Sequence, residues 1–311
     1  MITGKYIFKQ DGITVAEKTN ILTTNGIDMI NRFLSQSVQE WAGTVVVGSQ
    51  YTATASTDTA LAYEVSRSPI TLKTYSASGS YVNGAVSGSN QIIIKASLDP
   101  LLVASIYEIG IIPQNYFQAN LKDNFIITRF DEGYGTSGSS DWVIGPASVN
   151  MTLYASSRFG TYNIGVTAAS AITRTNFGLD FTNFTTNDYL QLLYYVPTNT
   201  SNASVVFTFT DSSGYTWTTP TVTLNPAASG YFSASSLLSN NPTASFNYYV
   251  DTVTASFGGV SGSVYLDSLK LMGGDSKTPE EQLVSRTSSS AALVTTKYGQ
   301  PTEIEYYLTV T

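Results

Sequence analysis

The chain of 311 residues contains no histidine and no cysteine. Those two absences remove Ser-His-Asp and Cys-His nucleophile systems, thiolate and imidazole metal sites, His-ligated haem and iron–sulfur clusters. Disulfides go with them, so stability must come from packing, hydrogen bonds or subunit contacts. Charge is scarce as well: 12% of residues are Asp, Glu, Lys or Arg, and their balance is −7. With no run of Lys or Arg there is no basic stripe for phosphates, and a nucleic-acid partner is not expected. No apolar run approaches the roughly 20 residues that span a bilayer, so membrane insertion is not expected. The first residues also lack the basic-then-apolar layout of a secretory leader. A carboxylate enzyme, a binding module or a structural component remains, and the last fits best. No cofactor is expected.

What the chain does hold is Tyr 21 and Phe 14 in a field of Ser, Thr, Asn and Gly, with 42% hydrophobic residues. Hydroxyl, amide and aromatic side chains suit pleated, half-exposed positions, so the fold is expected to be mostly β. The Asp11-Gly12 pair between apolar runs predicts an opening hairpin. Ile27, Ile30, Phe33 and Leu34 recur at helical spacing and predict one helix over 26–39. Strands are expected at 45–48, 70–75, 91–98, 105–113 and 124–130.

Composition shifts at the Gly/Ser stretch 132–140 and again at 273–279. Between them, eight short strands separated by turns predict a jelly-roll β-sandwich. The tail after 275 is too short to fold alone, and its last strand, 303–310, belongs with the first sheet. The expected organisation is therefore a discontinuous β-rich anchoring domain, 1–135 and 275–311, carrying an inserted jelly roll, 136–274.

Ordered along the first unit are GKYIFKQDG (4–12), TNILTTNGI (19–27), VVVG (45–48), TDTALAYEVSR (57–67), IYEIGII (106–112) and KYGQPTEIEY (297–306). In that order they resemble a domain of virion structural and tail-associated proteins of tailed bacteriophages. The resemblance implies a non-enzymatic virion component of tail, baseplate, collar or short fibre, on the exterior surface of the particle. Its implied partners are other virion proteins and further copies of itself, most simply a trimer; capsid decoration is an alternative. NDYLQLLYYV (187–196) and GSVYLDSLKL (262–271) make the insert similar in pattern to carbohydrate-binding-module-like jelly rolls. That implies a second alternative, a receptor-binding protein that grips host surface glycan.

Candidate site residues follow from these readings. Tyr215 and Trp217 alternate on one face of a strand, and together with Tyr231 they could stack on sugar rings, although core filling explains a buried Trp equally simply. Tyr189, Tyr194 and Tyr195 are open to the same two readings. Asp267 lies in an apolar strand where a carboxylate could help hold Ca²⁺ or accept a neighbouring backbone N–H, the second being the simpler reading. Asp211 begins a turn. Glu64, Arg67 and Glu108 are the distinctive charges of the first unit, fit either for contacts between subunits or for an internal pair fastening a loop. Glu303 and Glu305 share one face of the last strand, expected to be solvated; a paired-carboxylate hydrolase would need such acids across a cleft.

Overall fold

The computed structural model describes residues 2–82, 85–115, 122, 124–131, 141–144, 150–154, 157–167, 171–197, 203–226, 231–274 and 277–310. It divides into two compact units, residues 1–119 with 277–311, and 120–276.

The first unit is built from β1 (Ile2–Gln10), β2 (Ile13–Thr19), β3 (Ile21–Leu22), α1 (Thr24–Leu34), β4 (Thr44–Gly48), β5 (Glu64–Val82), β6 (Ala85–Ser97), β7 (Ala104–Ile106) and β8 (Glu108–Ile112). The second supplies β9 (Phe125–Thr128), β10 (Val143–Ile144), β11 (Asn150–Tyr154), β12 (Asn163–Thr167), β13 (Ala171–Arg174), β14 (Leu179–Asp180), β15 (Tyr189–Tyr195), β16 (Ala203–Asp211), β17 (Thr216–Thr218), β18 (Val222–Leu224), β19 (Phe232–Leu237), β20 (Tyr249–Gly258) and β21 (Ser263–Met272). The chain then returns with β22 (Ser285–Ser288), β23 (Val294–Thr296) and β24 (Thr302–Val310).

Nine antiparallel strands form one sheet in the first unit, ordered β2-β1-β24-β6-β5-β4-β8-β22-β3. The sheet curls on itself. The buried Tyr6 hydroxyl of β1 bonds Ser285 of β22, joining strands from opposite ends of that order. The expected helix starts earlier and stops sooner than 26–39, at Thr24–Leu34. Thr23 caps it by accepting the Gly26 N–H at 2.9 Å, and a Cβ at Gly26 would overlap the Val284 carbonyl. This backbone-to-backbone contact turns Gly26 and Met29 inward, leaving Ile27 54% and Leu34 73% exposed. The region after 283, with no strand expected before 303, contributes β22 between β8 and β3.

Glu108 is 0% exposed. Its carboxylate accepts the backbone N–H groups of Ala62 (3.0 Å) and Tyr63 (2.8 Å) and Arg286 Nη2 at 2.6 Å. Arg286 also bonds Asp58 at 2.6 Å, so one buried cluster ties the loop before β5 to β8 and β22. Burial pushes the Glu108 carboxyl upward despite those donors. Glu64 and Arg67 pair with each other, 3.2 Å between Arg67 Nη2 and Glu64 Oε2. As contacts between subunits, Glu64, Arg67 and Glu108 are thereby corrected: all three side chains are committed within the unit, and Glu108 has no surface to offer. Glu305 also departs from its expected solvated face. It is 2% exposed, bridged by Lys9 at 2.8 Å and Lys95 at 2.6 Å and hydrogen-bonded by the Tyr307 hydroxyl at 2.8 Å, because lysine stems from both neighbouring strands fold over it.

The second unit is a sandwich. One sheet runs β10-β13-β20-β16-β17 with β14 and β18 attached; the other runs β11-β12-β21-β15-β19 with β9 on β21. Their facing sides share one core, in which Phe207, Phe209, Trp217 and Val253 meet Leu190, Leu192, Leu266 and Leu269. Strict alternation along β16, buried at 203, 205, 207, 209 and 211, is the period-2 pattern of a strand with one face in the core. β9 and Phe130 belong to this core, so the insert begins well before the Gly/Ser stretch that suggested its edge.

Candidate functional site

The second sheet of the sandwich has an outer face that is neither a plain solvated surface nor a second core. Pleating alternates the side chains, so while Leu190, Leu192 and Tyr194 point into the core, Tyr189, Gln191, Leu193 and Tyr195 lie on the outside. Register fixes their neighbours. Tyr195 pairs with Tyr265 across β15 and β21, and Phe232 pairs with Tyr194, which brings Tyr231 alongside Tyr195. On the far side, Gly165 pairs with Tyr265, so the residue directly opposite that ring carries no side chain.

The result is a row of three tyrosines. The Tyr195 and Tyr265 rings are stacked, centroids 5.6 Å apart with planes 20° apart; Tyr231 is tilted by 46° at 5.8 Å from Tyr195. Tyr195 and Tyr265 are half-buried, so part of each residue reaches solvent. Tyr231 is nearly enclosed: its hydroxyl bonds the Asn163 amide, and the Arg158 guanidinium lies 5.4 Å from its ring centre.

Beneath Arg158 sits Asp267, fully buried at the bulge in β21 where Leu193 pairs with Ser268 and Tyr194 with Leu266. It accepts the backbone N–H of Arg158 at 2.8 Å and that of Phe159 at 3.3 Å, along with the Ser157 hydroxyl. Burial nevertheless pushes its carboxyl up to about 7. Asp267 is thus a backbone acceptor, as the simpler of its two readings has it, and its oxygens face donors where a Ca²⁺ site would need them free. No group of three His, Cys, Asp or Glu suited to a metal ion occurs among the described residues. Further along the face, Lys270 is buried against Asn124 at 3.1 Å.

The expected pairing of Tyr215 with Trp217 as an exposed platform is corrected. Trp217 is 1% exposed, packed edge-on against Phe246 and Tyr248, with its indole N–H donated to the Asn240 carbonyl at 2.7 Å. Its ring faces are spent on the core. Tyr215 is exposed just before β17, where Asp211 takes its N–H at 2.9 Å and forms the expected turn. Neither belongs to the sheet that carries Tyr231, so the three sequence candidates do not converge. Tyr265, Arg158 and Asn163 were not singled out by sequence; the one signal that could have found Tyr265 is its place in the 262–271 segment, and it becomes informative only once the β15–β21 register is known.

No known family model matches the sequence, and no curated protein matches it either. Among solved structures, the family 11 carbohydrate-binding module from Clostridium thermocellum, in complex with a β-1,3-1,4-mixed-linked tetrasaccharide, is similar at TM-score 0.35 and 10% identity, covering 50% of this chain and 98% of that one. The CBM22-1 xylan-binding domain from Paenibacillus barcinonensis Xyn10C gives TM-score 0.32 and 14% identity over 52% of this chain and 97% of its own. A CBM28 module specific for non-crystalline cellulose gives 0.34 and 14%, over 43% and 87%. At these values the likeness carries no argument about what this chain does.

Proposed function

We propose that the inserted sandwich binds a saccharide without transforming it, at the rim formed by Tyr195 and Tyr265, and that the first unit anchors it to a larger assembly. The observation that carries the reading is the three-tyrosine row across adjacent strands, flanked by the Arg158 guanidinium. Sugars present flat C–H faces to aromatic rings and hydroxyls to charged groups, and both kinds of partner lie together here.

The test uses the full chain. A glycan array is expected to give a hit that weakens at least about tenfold in the Tyr195→Ala/Tyr265→Ala double variant with the melting curve retained, the size expected when two aromatic contacts are removed. Trp217→Phe is the control: it is expected to lower stability by about 1–3 kcal/mol through lost packing and the lost Asn240 bond, with binding unchanged. An array with no signal, or binding indifferent to both tyrosines, overturns the reading.

Anchoring on a phage particle is supported by the ordered segments of the first unit, and assembly as a trimer by the same resemblance. Mass spectrometry of purified particles should find the chain, and light scattering should report three copies. Absence from particles, or a monomer in solution, would remove the corresponding part.

A further inference from the structure

Resting on the saccharide-binding reading, we propose that Arg158, held against Tyr231 by Asp267, makes the tyrosine rim selective for a saccharide that carries carboxylates, a uronate-containing chain. The charge distribution around the rim is the first support. No charged residue occurs in 142–157, 159–173, 189–210, 212–250 or 252–266, so the segments flanking the tyrosine strands bring no carboxylate to repel an anion. The charges that do lie near the 157–161 segment have settled places. Arg129 and Asp131 pair with each other at 3.6 Å, and Asp131 also takes the Thr161 N–H at 2.8 Å. Asp267 is buried under the segment, and Lys270 is buried as well. The charged group left at this rim is the half-buried Arg158 guanidinium over Tyr231.

The second support is how that cation is held. Ser157, Arg158 and Phe159 all donate to one carboxylate, and Ser157 Oγ also bonds the Phe159 carbonyl at 3.0 Å. The backbone under Arg158 is therefore fixed, and the guanidinium lies over an aromatic face beside the stacked pair. A planar guanidinium recognises a carboxylate through parallel N–H···O bonds, roughly twice as strong as neutral ones. Arg158 is then the specificity-determining residue and Asp267 a positioning residue that does not reach the ligand.

The test is calorimetry on the full chain with oligomers of galacturonate, glucuronate and mannuronate, each beside its methyl ester, which has the same skeleton without the charge. At least one acid is expected to bind about tenfold or more tighter than its ester, as one charged hydrogen-bonded pair supplies, and the gap should narrow as salt rises. Arg158→Gln should close the gap between acid and ester with the melting curve retained; Arg158→Lys should restore part of it. Asp267→Asn should reduce acid binding more than ester binding. Equal affinity for acid and ester, or a preference that survives in Arg158→Gln, overturns the proposal. If neutral oligosaccharides bind through Tyr195 and Tyr265 but no acid is preferred, the inference fails and the saccharide reading stands; if nothing on the array binds, both fail.

Discussion

The Asp188 carboxylate accepts the backbone N–H of Gly274 at 2.8 Å. Its other oxygen takes Lys122 Nζ at 3.2 Å and the Thr185 N–H at 2.7 Å, while the Gly273 N–H bonds the Lys122 carbonyl at 2.9 Å. One buried acid therefore joins the entry and exit of the inserted unit. The two parts of the first unit are likewise tied, Gln114 N–H to the Glu280 carbonyl at 2.8 Å. Each unit closes its own ends, the condition under which one domain tolerates insertion of another.

Residues 120–276 expressed alone are accordingly expected to melt as one cooperative unit. Asp188→Ala should destabilise that fragment by about 2–4 kcal/mol, because it strands a half-buried ammonium and buried N–H groups. A Cβ at Gly274 would overlap the Asn187 carbonyl, so Gly274→Ala should act in the same direction. Urea unfolding measures both. A fragment without a cooperative transition contradicts the assignment of this unit as self-contained.

Asp267 gives the sandwich a pH signature. Its folded carboxyl lies at about 7 because burial outweighs its three donors, against about 3.9 unfolded. Between those values the native state binds the proton that the unfolded state has released, so this group's contribution is full below about pH 4 and is lost as pH rises through 7. The unfolding free energy of the wild type minus that of Asp267→Asn should therefore fall from about pH 4 to 7 and level off beyond, by at most about 1.4 kcal/mol per pKa unit. A difference that rises over this range would show that the donors, not burial, dominate.

Glu305 has the opposite sign. Burial would raise its carboxyl, but Lys9, Lys95 and Tyr307 outweigh it and hold the group down at about 2. Its contribution is present above about pH 4.3 and lost as pH falls through the folded value. Glu305→Gln should cost the full chain about 2 kcal/mol near neutrality, less than a fully buried pair because both lysines are partly solvated. The cost should shrink toward pH 2. Denaturant titrations across that range decide it; an unchanged cost at pH 2 would mean the effect is packing and not charge.

Much of the architecture was legible along the chain. The Asp11-Gly12 turn, the alternation of 204–210 and the apolar runs at 189–197 and 263–272 mark strands because their signals are local: turn residues and period-2 burial act between neighbours in sequence. The same holds for the Asp211 turn. Helix α1 shows where local reading stops. Its four spaced hydrophobics define a stripe, but burial falls at one edge of it, on Gly26 and Met29, where the close approach that only glycine permits sets the helix against Val284.

By itself the sequence determined the mostly β fold and the absence of imidazole and thiol side chains, since each depends on which residues exist and in what local order. Tertiary structure alone decided where the insert begins, that Trp217 fills the core, that Glu305 is enclosed by lysines, and that Tyr195, Tyr231 and Tyr265 stand in one row. These outcomes rest on strand register and on which sheet covers which face. Both are set by pairings between segments tens of residues apart, and a shift of one residue would turn every one of those side chains to the opposite side.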